Sequence, residues 1–146
     1  MKSKRRFAII VSRFNEEITN RLLLCCREEL LVQGVPAENI DVFWVPGALE
    51  LPYMAQTLAK KKRWSAIICL GCVIKGETSH DQHVAHWASI GCGEVSLKYD
   101  VPIFFGVLTP NSVKQALARS KPGPLNRGKE VAEAACLMLT TISSVK

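Results

Sequence analysis

No apolar run in this sequence approaches the roughly twenty residues that a membrane-crossing helix needs. Nor does the N-terminus read as an export signal, because Met1 to Arg6 is charged and only five apolar residues follow it. Aromatic residues are scarce, at 7%, and none falls inside the basic clusters Lys2-Ser3-Lys4-Arg5-Arg6 and Lys60-Lys61-Lys62-Arg63. A nucleic-acid partner is therefore not expected, although the net charge of +6 permits acidic ligands. A disulfide framework is missing too. The six cysteines, Cys25, Cys26, Cys69, Cys72, Cys92 and Cys136, fall largely within apolar runs and read as free thiols of a reducing, cytoplasmic compartment. Cys69-Leu70-Gly71-Cys72 has C-x-x-C spacing but begins inside a strand and has no partner pair, so burial explains it better than zinc or dithiol chemistry. The three histidines, His80, His83 and His86, lie on one helical pattern, where His80 and His86 diverge by about 120°. No single metal centre follows from that spacing.

What is present is an alternation. Short apolar runs at Phe7–Val11, Ile40–Val45, Ala66–Leu70 and Pro102–Leu108 have the continuous character of strands buried on both faces. Helical patterns separate and follow them at Glu16–Gln33, Ala48–Lys62, Asp81–Asp100, Asn111–Ser120 and Glu130–Ile142. In the first, Leu22, Leu23, Cys26, Leu30 and Leu31 make one core face, and Gly34 is a stop. In the third, Ala85, Ala88, Ser89 and Gly93 allow close packing. With no repeat or linker, the 146 residues predict one α/β domain spanning 1–146. Its expected architecture is a three-layer αβα sandwich around a four-stranded parallel sheet. The flavodoxin-like order 2-1-3-4 is the natural choice, though strand order cannot be read directly from the sequence.

Ligands of such sheets bind beyond the carboxyl ends of the strands. Those ends carry Arg13-Phe14-Asn15, Pro46-Gly47-Ala48-Leu49-Glu50, the loop Gly71–His80, and Phe105-Gly106 followed by Thr109-Pro110. In the third, Gly71 and Gly76 permit tight turns, Thr78 or Ser79 suits a helix N-cap, and a helix start attracts phosphate. His80 then stands at the mouth of an anion cradle with the side chain best suited to proton transfer near neutral pH. An ordinary strand-to-helix loop with a surface histidine is the plainer alternative. Likewise, Phe14 could cap the core, and Arg119 could simply stabilise a helix C-terminus.

Together, Arg13-Phe14-Asn15, Val45-Pro46-Gly47-Ala48-Leu49-Glu50-Leu51-Pro52, Gly71-Cys72-Val73-Ile74-Lys75-Gly76-Glu77-Thr78-Ser79-His80, Phe105–Thr109 and Ala118-Arg119 resemble the 6,7-dimethyl-8-ribityllumazine synthase family. The order and spacing agree from about Phe7 to Leu139. The resemblance implies the penultimate step of riboflavin synthesis. In that step 5-amino-6-ribitylaminouracil condenses with 3,4-dihydroxy-2-butanone 4-phosphate, losing phosphate and water, with neither metal nor cofactor. Carried over by position, Phe14 stacks on the pyrimidine, Ala48, Leu49 and Glu50 hold the ribityl chain, and Cys72, Val73 and Ile74 meet the ring through backbone groups. Phe105 lines the pyrimidine pocket, Glu77, Thr78 and Arg119 belong to the phosphate, and His80 transfers protons. The family's sites lie between neighbouring copies of a homopentamer, with Phe105 and Arg119 supplied by the adjacent chain. A sixty-subunit shell and riboflavin synthase are the further assemblies it raises. Departures are Lys75 where arginine is common, Glu77 in place of a small residue, Arg127 where lysine is usual, a short N-terminal arm, and the segment Ser120–Asn126, which differs from the form typical of shells. A non-catalytic flavodoxin-like module that binds a phosphorylated ligand or a flavin is the competing reading.

Overall fold

Each apolar run becomes a strand in the computed structural model, which describes residues 4–146. Strands β1 (Phe7–Ser12), β2 (Ile40–Val45), β3 (Ala66–Cys72) and β4 (Ile103–Leu108) form one parallel sheet in the order β2-β1-β3-β4. In the register, Ile9 stands between Val42 and Ile68. β1 and β3, the two inner strands, are buried along their whole length, so their side chains feed two cores by strict alternation. Phe7, Ile9, Val11, Ile68 and Leu70 point to one side, where they meet α1 (Glu16–Val32), α4 (Val113–Ser120) and α5 (Arg127–Val145). Ala8, Ile10, Ile67 and Cys69 point to the other, against α2 (Leu51–Ala59) and α3 (His80–Tyr99). The αβα sandwich and the order 2-1-3-4 are as expected. No helix among the described residues is long and apolar enough to cross a membrane.

Several details differ from the sequence expectation. Leu31 is 43% exposed, because it lies about 100° round the helix from buried Leu30, while Ile18 and Thr19 turn inward instead. The second helix begins as a 3-10 turn over Ala48–Glu50 and ends at Ala59, since Lys62 adopts a left-handed φ of 52°. In α3, Gly93 and Ser89 face outward. The close approach is at Gly91, where a Cβ would come within 2.7 Å of Pro52. The last helix starts at Arg127, three positions earlier than expected. Fully buried Asn126 caps it, accepting from the Lys129 N–H at 3.0 Å and donating to the Ser120 carbonyl at 2.7 Å.

Neither Gly71 nor Gly76, read in the sequence as permitting tight turns, adopts a left-handed conformation. Gly71 is a strand residue whose missing side chain leaves room for the Ser12 hydroxyl, 3.0 Å from where a Cβ would sit. Part of each basic cluster makes contacts within the chain. Lys2 and Ser3 lie outside the described residues, but Arg6 reaches Asp41 at 3.5 Å, Lys60 lies over the Tyr99 ring and Arg63 over Trp64. All six cysteines are free. Cys69 and Cys72 face opposite cores, so the C-x-x-C spacing brings no two thiols together.

Candidate active site

Beyond the carboxyl ends of β1, β2 and β3 lies a cavity of about 290 Å³, lined by Phe14, Gly47, Ala48, Leu49, Glu50, Cys72, Val73, Ile74, His80, Asp81 and Val84. Its wall at β1 is set by Asn15, which caps α1 in the left-handed conformation at φ 62°. The Asn15 side chain donates to the Cys72 carbonyl at 2.9 Å, tying the end of β1 to the end of β3. Phe14, immediately before it, is thereby held out at the rim and is 71% exposed. The β2 side of the cavity is the Ala48–Glu50 turn, closed by a 3.2 Å bond from the Glu50 N–H to the Gly47 carbonyl.

The floor is the prolongation of β3. Val73 donates to the Leu108 carbonyl at 2.8 Å and Lys75 to the Pro110 carbonyl at 3.0 Å, so the chain still runs alongside β4 here. By strand alternation, the N–H of Ile74 points the other way. Burial pushes the Cys72 thiol up to about 11, and it faces the core beneath α1, so this residue offers the cavity its backbone.

His80 opens α3, its backbone N–H donating to the Thr78 hydroxyl at 3.3 Å. Ser79 occupies the N-cap position without a side-chain cap bond. One residue on, the Asp81 carboxylate folds back to accept from the Gly76 N–H at 3.4 Å. Glu77 and Thr78 are exposed on the loop ahead of His80 and do not line the cavity. His83 and His86 are exposed as well, and among the described residues no three His, Cys, Asp or Glu side chains are grouped to hold a metal.

One chain thus brings together eight of the residues singled out in the sequence: Phe14, Ala48, Leu49, Glu50, Cys72, Val73, Ile74 and His80. It does not bring Phe105 or Arg119 to them. Phe105 lies in mid-β4, paired with Cys69 and packed towards the α2–α3 core. Arg119 lines a second cavity of about 460 Å³ with Thr109, Pro110, Gln115 and Arg127. Asp81, Val84 and the partnership of Arg119 with Arg127 were not anticipated. The signal for Asp81 was its place in the first turn of a helix aimed at the cavity, and Arg127 stood out only as a departure from the family pattern.

Comparison with known proteins identifies the family. The sequence model of the 6,7-dimethyl-8-ribityllumazine synthase family matches residues 4–143. A 6,7-dimethyl-8-ribityllumazine synthase of Coxiella burnetii (strain CbuG_Q212) is 43% identical over 145 residues, covering 99% of this chain and 96% of the relative. The 6,7-dimethyl-8-ribityllumazine synthase 1 of Caulobacter vibrioides is 43% identical over 141 residues, covering 97% and 92%. With a match along nearly the whole chain and relatives well above the level at which fold alone is shared, the chain belongs to the 6,7-dimethyl-8-ribityllumazine synthase family.

Proposed function

We propose that this chain, as a single domain over residues 1–146, joins 5-amino-6-ribitylaminouracil to 3,4-dihydroxy-2-butanone 4-phosphate with loss of phosphate and water, as a transferase of riboflavin biosynthesis. The observation that carries the proposal is the one cavity into which Phe14, the Ala48–Glu50 turn, the Cys72–Ile74 backbone and His80 converge. In this reading the Phe14 ring stacks on the pyrimidine. Glu50 accepts from ribityl hydroxyls and the Cys72–Ile74 backbone reads the ring edge. Thr78, Glu77 and the start of α3 take the phosphate through main-chain N–H groups. Schiff-base formation, phosphate elimination and ring closure each move a proton, and His80 is placed to carry it. Holding two reactants side by side contributes most, since effective molarities for well-oriented partners reach about 10⁵ M or more. No nucleophilic side chain is needed, in keeping with a Cys72 thiol turned away from the cavity.

The complete site is proposed to form between neighbouring copies of a homopentamer, where Phe105 and Arg119 of one chain face the His80 cavity of the next. In support, Arg119 and His80 line different cavities of the same chain, and the apolar residues Tyr53, Trp87, Ile90 and Leu97 are exposed on α2 and α3. A cytoplasmic location suits the free cysteines.

Mixing the purified protein with the two substrates and following the lumazine's absorbance and fluorescence tests the reading. Product forms with wild type. His80→Ala lowers turnover on the order of 10²-fold while substrate binding is largely kept. A protein that binds both compounds and makes no lumazine is instead the flavodoxin-like binding module.

A further inference from the structure

The loop proposed to receive phosphate already holds an anion of its own. Asp81 stands in the first turn of α3, where the helix dipole alone would favour a carboxylate. The dipole does not require the side chain to turn back five residues, yet its Oδ1 accepts from the Gly76 main-chain N–H at 3.4 Å. The same residue lines the cavity beside His80. A carboxylate oxygen on a main-chain N–H at a helix start has the charge sign and acceptor character of a phosphate oxygen. No cationic side chain among the described residues pairs with it. Among the described residues Lys75, Glu77, His80 and Asp81 have no ion-pair partner, and the other carboxylates nearby are Glu50 on the cavity wall and Glu77 on the loop.

We propose that Asp81 is a positioning residue that stands in for the substrate's phosphate, pinning the 76–81 loop through the Gly76 N–H and being displaced when the phosphorylated ketone binds. The inference rests on the phosphate-binding role given above to this loop. Two effects follow from one side chain. The pin keeps the main-chain donors in place between turnovers, so less ordering remains for the substrate to impose. The carboxylate also opposes the incoming dianion, which weakens retention of the inorganic phosphate released by elimination and leaves the loop ready for the next ketone.

The two effects are separable by substitution. Asp81→Asn keeps an acceptor for Gly76 and removes the charge, whereas Asp81→Ala removes both. Binding of inorganic phosphate to the assembled protein, measured by titration calorimetry, is the direct readout. Asp81→Asn should bind phosphate about five- to tenfold more tightly, the scale of one partly screened charge pair near a protein surface. The gain should shrink as salt is raised to ~0.5 M, because exposed charges are then largely screened. Asp81→Ala should gain less than Asp81→Asn. In turnover, KM for the phosphorylated ketone should fall with the phosphate constant in Asp81→Asn, while KM for the pyrimidine changes much less.

Phosphate binding by Asp81→Asn that is equal to or weaker than wild type overturns the inference and leaves the loop's phosphate role intact. Asp81→Ala matching or exceeding Asp81→Asn overturns the pinning. If neither wild type nor variants bind phosphate, the reading of the loop fails and this inference fails with it.

Discussion

Asn15 does two things that no other residue type does together. At φ 62° it occupies the left-handed region, which asparagine tolerates and alanine reaches at a cost of about 1 kcal/mol. Its amide also donates to the Cys72 carbonyl at 2.9 Å, a bond worth about 1 kcal/mol and one that fixes where the Cys72–Ile74 backbone runs. Asn15→Ala is therefore expected to lose about 2 kcal/mol of stability by urea unfolding and to raise KM for the pyrimidine more than KM for the ketone. Asn15→Asp separates the terms. It keeps the left-handed preference, loses the donor, and sets a carboxylate against a carbonyl, so the pyrimidine defect should persist although the left-handed strain of the alanine variant is absent. An unchanged pyrimidine KM in both variants would remove Asn15 from the site. His80 and Phe14 were visible in the sequence because a histidine and an aromatic ring stand out after a strand end. The role of Asn15 was not, because it depends on which carbonyl its amide meets.

At the scale of elements, the strands were legible and the helix contacts were not. An apolar run such as Ala66–Leu70 can do little besides lie between two helical layers, and its burial on both faces is the direct consequence. Which glycine on a helix meets a neighbour depends on the rotation of that helix, and the periodicity of α3 was too weak to set it. Hence Gly93 was expected at a contact that Gly91 makes with Pro52. α5 makes the tightest such contact. A Cβ on Gly128 would lie 2.0 Å from the Leu22 carbonyl oxygen, a backbone atom that cannot step aside without moving α1. Gly128→Ala should cost about 3 kcal/mol, at the upper end of the usual range for overpacking, read as a lower urea midpoint with the slope unchanged. An alanine tolerated at no cost would mean that α1 and α5 slide freely. The cap follows the same rule. Asn126 extends α5 back to Arg127 by a bond to Lys129, and the preceding proline and glycine residues masked that start in the sequence.

At the scale of the whole molecule, the single chain keeps His80 and Arg119 in separate cavities, and the proposed pentamer joins them across copies. His80→Ala and Arg119→Ala should each be poorly active alone, Arg119→Ala through weakened use of the phosphorylated ketone. Unfolding the two together in equal amounts and reassembling them should restore activity at about one site in four, the fraction in which an intact His80 meets an intact Arg119. No recovery, in a mixture whose sedimentation confirms reassembly, would place both residues in one chain's site. Residue spacing alone does not say which chain supplies which side chain, and the proposed division came only from the family resemblance.

The two main-chain bonds from Val73 to Leu108 and from Lys75 to Pro110 have a consequence for how this surface tolerates change. They weld the floor of the His80 cavity to the wall of the Arg119 cavity, so a substitution that tilts one shifts the other by a similar amount. In a closed ring that displacement would be inherited by both flanking sites at once. The strand margin from Cys72 to Pro110 should therefore accept fewer substitutions than its solvent exposure suggests, and compensating changes should arise in pairs across it.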